Sequence, residues 1–170
     1  MLGGTAARAA LPSGLRCLVA DDMPMNRKLM RRALERFCGS GWTVTDASTA
    51  EKAVELACPP SGGSSPFDLI VTDEHFAPPS TMGVMRGSDA IRAILHHFKR
   101  DGVRAPATVL CTGNARDARA KQSEGAGGNV SAEELPDLVW DKPFPDPTDG
   151  SMAAQLATVL VPRAKVAAGE

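Results

Sequence analysis

Three short apolar runs punctuate the chain: Cys17–Ala20, "FDLIVT" (67–72) and "ATVLCT" (107–112). Continuous runs this short read as strands covered on both faces, because a half-exposed strand would alternate polar and apolar positions. Between them the period lengthens. Leu29, Met30, Ala33, Leu34 and Phe37 recur at helical spacing behind Pro24, which suits the opening turn of a helix, and Gly39, Ser40 and Gly41 stop it. "WTVTDA" (42–47) alternates like a strand, and Ser48 or Thr49 then caps a helix over "AEKAVELA" with Glu51 close behind. "PPSGGSSP" (59–66) reads as a flexible surface loop. A long loop, "HFAPPSTMGVMRG", leads into a helix over "SDAIRAILHHFKR" (88–100). After the third run come a short polar helix around 115–122, the loop "GAGGNVS", a short strand in "DLVWD" and a final amphipathic helix over about Thr148 to Val161. Five strands alternating with about five helices imply a parallel sheet with helices on both faces.

Composition narrows the class. The chain has 170 residues, 43% hydrophobic and 23% charged, with a net charge of −1. That suits one domain with a proper core and supplies neither the basic footprint of a nucleic-acid binder nor a membrane-spanning run. No nucleic-acid or membrane contact is expected of this chain. The head, residues 1–14, reads as a disordered edge or linker, residues 15–162 as the folded domain and 163–170 as a polar tail. The four cysteines, Cys17, Cys38, Cys58 and Cys111, show no CxxC pairing, and two of them lie inside apolar runs. A reduced, intracellular (cytoplasmic) protein is the expectation.

The candidate chemistry lies where strands end. Asp21 and Asp22 follow the first run, Asp73 closes the second, Thr112 the third, and Lys142 follows the last. In an open α/β sheet that edge is where ligands bind. Carboxylates gathered there can hold Mg²⁺, a hard cation that prefers oxygen, and one of them can act as a nucleophile on phosphorus. A hydroxyl and an ammonium can then hold phosphoryl oxygens. By itself an Asp-Asp pair after a strand is more often a helix cap than a metal site; joined in order by Asp73 and Lys142, the metal reading prevails.

Four motifs, "VADD" (19–22), "DLIVTD" (68–73), "VLCTGN" (109–114) and "DKPF" (141–144), each stand at the end of an expected strand. In this order they resemble the response-regulator receiver domain of two-component phosphorelays. "DDMPMNRKLM" in particular is similar to receivers of hybrid histidine kinases. The resemblance implies a flavodoxin-like (βα)5 receiver fold with strand order 2-1-3-4-5. It implies that Asp73 is the phosphoacceptor, with Thr112 and Lys142 acting on the phosphoryl group. Mg²⁺ would be held by Asp21, Asp22, Asp73 and the backbone carbonyl of His75. Gly113 would leave room beside Thr112, and the bond before Pro143 would be cis. The chemistry would be limited to self-phosphorylation and autodephosphorylation. The partner would be a histidine kinase or a histidine phosphotransfer protein, with a homodimer left open. Loops rich in Gly, Pro and Ser favour the receiver of a larger hybrid protein over a stand-alone regulator.

The chain departs from the family pattern in places. Receivers usually carry an aromatic switch residue three positions before the lysine; here that is Val139, with Trp140 beside it. The loop after Asp73, containing Pro78, Pro79 and Gly83 before the matching Gly87, is long, and so is the region from Gln122 to Pro136. An ordering of that region on phosphorylation is the expected response. Two rival readings stand beside the main one. A phosphatase of the haloacid-dehalogenase type resembles DxDxT at its nucleophile, but Glu74, His75 and Phe76 follow Asp73 and lack the second acid. A degenerate receiver used only for docking is the other. "RKLMRR" (27–32) reads as a solvated helix face, and His96 and His97 as a solvated or half-buried one. Met23, Met25, Met82 and Met85 are assigned to gap filling or partner contact.

Overall fold

The apolar runs pair side by side. The computed structural model describes residues 11–60, 63–76, 83–114 and 134–169, with 165–168 as backbone only. Its strands are β1 (Arg16–Ala20), β2 (Thr43–Ala47), β3 (Leu69–Asp73), β4 (Ala107–Thr112) and β5 (Leu138–Asp141). They form one sheet of order β2-β1-β3-β4-β5, and all neighbours are parallel. Parallel neighbours need a crossover between them, which helices supply. The described helices are α1 (Pro24–Ala33), α2 (Ala50–Ala57), α3 (Gly87–Arg100) and α4 (Ser151–Ala168).

Burial follows sheet position. Every residue of β3 and β4 is buried, whereas the edge strand β2 buries only Val44 and Ala47. Alternate residues of the central strands serve two cores. Cys17, Val19, Val71, Val109 and Cys111 pack with Met30, Leu34, Met152 and Leu156 under α1 and α4. Leu18, Ala20 and Ile70 face α2 and α3, where Ala50, Ala53 and Ala57 let the helix sit close and Ile94 and Phe98 fill the remaining space. Cys17, Cys38 and Cys111 thus serve as small buried hydrophobes.

The ends of elements show local causes. Thr49 caps α2, its hydroxyl oxygen accepting from Lys52 N at 3.1 Å. The first helix runs past Ala33 into a π-helical turn, Leu34–Cys38. Gly39 then admits the Trp42 indole, which any Cβ at that position would strike. The Trp42 Nε1–H donates to Pro12 O at 2.7 Å and Gly14 N–H donates to Ser40 O at 2.8 Å, fastening the segment before β1 to the turn before β2.

Some expectations change. Along α1 and the turn that follows it, Met30, Ala33 and Leu34 are buried as the spacing requires, but Leu29 is 54% exposed, alongside Met23 and Met25. The loop before β3 is not wholly at the surface, since Ser65 is buried and its Oγ accepts from Phe67 N at 3.1 Å. The final helix starts at Ser151 and continues through Pro162 to Ala168, so residues expected to form a polar tail are helical. Beyond the proline, Arg163 donates to Ala105 O and to Asp137, and these long-range contacts hold the turn that Pro162 weakens. The short polar helix at 115–122, most of 122–136, and Pro78, Pro79 and Met82 lie outside the described residues. No helix among the described residues is long and apolar enough to cross a membrane.

Candidate functional site

Because every strand points the same way, every strand-end polar residue reaches the same edge of the sheet. Asp21 follows β1, with its N–H donating to Ala47 O at 3.2 Å. Asp73 ends β3 opposite Cys111, one residue short of Thr112. Lys142 follows β5, and its N–H donates to Thr112 O at 3.0 Å. Asp21, Asp22 and Asp73 each offer a carboxylate oxygen, and these oxygens lie within 4.8 Å of one another. Asp21 and Asp73 are buried, while Asp22 faces solvent.

The cation of the set is Lys142. Its Nζ lies 2.8 Å from Asp73 Oδ2 and 3.7 Å from Asp21 Oδ2. Burial works against the ammonium, but the hydrogen bond and charge of Asp73 and the charge of Asp21 outweigh it and hold the amine above its ordinary range. Asp21 is pushed the other way from a usual carboxylate: burial raises its pKa, with Asp73 adding to it, against hydrogen bonds from Met23 N and Asn26. Met23 N donates to Asp21 Oδ1 at 2.8 Å, and Asn26 Nδ2 spans both oxygens at 3.2 and 3.1 Å. Asp21 is therefore largely satisfied. Asp73 is not, since Lys142 is its partner through Oδ2 and Oδ1 has no donor among the described residues.

The helix-cap reading of the acid pair does not fit. The N-cap of α1 is Met23, and no side chain caps that helix. Three carboxyl groups converge beside one ammonium, so oxygen ligands outnumber the cation at hand, which suits a divalent hard cation. The arrangement thus fits Mg²⁺, with Asp22 on the solvent side where the ion would keep water.

Other expected features are placed as well. Thr112 is buried, with Oγ1 accepting from Asn114 N at 3.2 Å and no acceptor for its own hydrogen among the described residues. A side chain at Gly113 would meet open space, so room does exist beside Thr112. The Lys142–Pro143 bond is cis. The His75 ring is exposed. Val139 and Trp140 occupy opposite faces: Val139 packs with Ile91 and Leu110, and Trp140 lies in the core under α1 and α4. Trp140 is 1% exposed, so it is a core residue here and takes no place beside Val139.

Two features were missed in the sequence. Glu74, given no role there, accepts from Ser88 N at 2.9 Å and from Ser88 Oγ at 3.0 Å, while its carbonyl accepts from Gly87 N at 3.1 Å. This closes the base of the long loop beside the phosphoacceptor candidate. Gly87 packs so tightly there that a Cβ would overlap the Asp73 carbonyl oxygen. No local signal could reveal a contact between residues separated by that loop. Arg27 and Arg31 also leave the solvated face assigned to "RKLMRR". Arg27 Nη1 donates to the carbonyls of Asp21 and Asp22 at 2.7 and 3.1 Å, and Arg31 joins Val44 O and Asp46.

This sheet order is the fold of response-regulator receiver domains. Among solved structures the chain is similar to a response regulator receiver domain protein from Clostridium thermocellum, at 20% identity and a TM-score of 0.58, covering 90% of this chain and 98% of that one. It is similar at 25% identity to the receiver domain of the histidine kinase CKI1 from Arabidopsis thaliana complexed with Mg²⁺, at a TM-score of 0.55 over 79% of this chain and 87% of that one. The response regulator domain of Thermotoga maritima CheB matches at 18% identity and a TM-score of 0.51, covering 92% and 97%. No family model matches the chain, and no curated protein sequence matches it.

Proposed function

We propose that the chain is a phosphoacceptor receiver domain of a two-component phosphorelay. The observation that carries this reading is the buried Asp73 with one oxygen on Lys142 at 2.8 Å and the other open, inside a set of three carboxylates. Asp73 Oδ1 attacks the phosphorus of a phosphohistidine on a histidine kinase or a histidine phosphotransfer protein. The new O–P bond forms as the P–N bond breaks, and the imidazole leaves with the electron pair of that bond. Lys142 answers the charge of the resulting acyl phosphate, about −2 at neutral pH. Thr112 donates its hydroxyl hydrogen to a phosphoryl oxygen. Asp21, Asp22, Asp73 and the His75 carbonyl would hold Mg²⁺, which when bound would supply neutralisation of charge on the phosphoryl oxygens. Water later hydrolyses the acyl phosphate, and the phosphorylated state alters a signalling interaction. The missing second acid after Asp73 argues against a phosphatase cycle, and the open Oδ1 against a docking-only role.

The test is incubation of the purified chain with acetyl phosphate, with and without Mg²⁺, read by intact mass and by mapping of the modified residue. A base-labile phosphoryl group on Asp73 is expected, dependent on Mg²⁺ and absent from Asp73→Asn. Modification at another residue, or at Asp73 without need of the metal, would overturn the assignment. Catalytic release of phosphate over many turnovers would favour the phosphatase.

A further inference from the structure

The opposite edge of the sheet, where the strands begin, holds a cavity of about 380 Å³. Leu15, Phe67, Val103, Pro106 and Leu160 give it an apolar wall. Its volume falls in the range of small-molecule pockets, roughly 300–1,000 Å³. Arg16, Arg104 and Arg163 also line it, against one lining carboxylate, Asp68.

Two of these guanidiniums are already engaged. Arg16 Nε lies 3.6 Å from Asp68 Oδ2, and Arg163 Nη2 lies 2.8 Å from Asp137 Oδ1 while Nη1 donates to Ala105 O at 2.8 Å. Arg104 has no hydrogen bond or ion pair among the described residues. Three cations against Asp68 and Asp137 leave one positive charge in excess (3 − 2 = 1). Partial burial and the neighbouring charge of Arg163 both disfavour the Arg104 cation, so an anion beside it would be welcomed. An apolar wall with a single surplus guanidinium on its rim is the complement of a molecule with an apolar body and one anionic head.

We propose that this cavity binds a small amphipathic monoanion, an aryl or alkyl carboxylate or sulfonate, with its body against Phe67, Val103 and Leu160 and its head on Arg104. The site is separate from the carboxylate edge. β3 spans five residues between the two edges, roughly 16 Å at the rise of a strand. The proposal therefore does not rest on the phosphoacceptor reading. The cavity is lined from the starts of β1 and β3, the segment before β4 and the α4 residues on either side of Pro162.

The experiment titrates phenylbutyrate and its uncharged counterpart phenylbutyramide into the isotope-labelled full chain, following backbone amide resonances, with anilinonaphthalene sulfonate fluorescence as a second anionic probe. Saturable shifts centred on Phe67, Val103, Arg104 and Leu160 are expected for the acid, with affinity about tenfold above that of the amide, as one charge-assisted contact would give. Arg104→Gln, at an exposed position, should remove the preference and the sulfonate signal together while the spectrum stays folded. Asp73→Asn should leave both unchanged. Equal binding of acid and amide would show a merely apolar groove and overturn the proposal. So would shifts centred on Met23, Met25 and Leu29, or an Arg104→Gln protein that binds like the parent. Absence of saturation by either anion at millimolar concentration would overturn it as well.

Discussion

The sheet uses aspartate at both of its edges, and to opposite ends. At the amino edge, Asp68 and Asp137 each stand just before a strand. Asp68 Oδ2 accepts from Arg16 N at 2.8 Å, and Asp137 Oδ2 accepts from Thr108 N at 2.8 Å, while Arg163 meets both Asp137 oxygens. Each of these acids fastens one strand's start to its neighbour and carries its own arginine. At the carboxyl edge, Asp21 and Asp73 share one lysine with Asp22 close by, and Asp73 Oδ1 has no donor among the described residues. The residue type is the same and the outcome differs because of donor supply. Where donors match acceptors, an aspartate stabilises the fold; where acceptors outnumber them, it is available to a metal and to phosphorus.

Breaking the comparison at the carboxyl edge should cost chemistry and little stability. Asp22→Ala should weaken Mg²⁺ binding by roughly tenfold or more, with phosphoryl uptake falling in parallel, if the proposed ligand set holds. Because Asp22 is exposed, unfolding stability should stay within about 0.5 kcal/mol. Metal titration and thermal melts on one preparation check both halves. The amino edge should behave in the opposite way. Asp137→Ala strands the Thr108 N–H and the Arg163 guanidinium, at a cost of about 2–3 kcal/mol. That corresponds to a fall in Tm of roughly 4–12 °C for a domain of this size, with Mg²⁺-dependent phosphorylation intact at low temperature. Loss of phosphorylation without a fall in Tm would contradict the division of labour. The smallest effect is expected from Asp68→Asn, which keeps an oxygen for Arg16 N–H and removes only the charge facing a largely exposed arginine. Denaturant melts should place it below about 1 kcal/mol.

Much of this architecture was legible in the sequence because two local signals coincide. The strand over Ala107–Thr112 appears residue for residue as the apolar run implied, since a fully buried parallel strand excludes charged positions, and its internal Thr108 is satisfied by Asp137. The strand-end acids were legible for the same reason: a charged residue directly after such a run has nowhere to stand but the edge. The rest depends on partners distant in the chain. Leu29 sits at a helical spacing that fits the core, yet it lies on the exposed side of α1. The helix runs on through Pro162, and just beyond it Arg163 is held by Ala105 and Asp137, far away in the chain. Glu74 looks like one acid among several until Ser88 is brought to it across the long loop. Trp140 invites a signalling role by its place next to Val139, and the two-residue repeat of a strand sends it into the opposite core.

The fastening of Pro12 to Trp42 and of Gly14 to Ser40 bears on how this molecule can be handled at an interface between protein and instrument. It fixes where the segment leading into β1 sits: beside the amino-edge cavity, which Pro12 lines, and on the far side of the sheet from Asp73. An affinity handle or dye joined ahead of Leu11 is therefore anchored away from the carboxylates. Captured that way on a sensor chip, the protein would display Lys142 and the acid cluster to the flowing solution, and a soluble phosphodonor could be injected over an oriented layer.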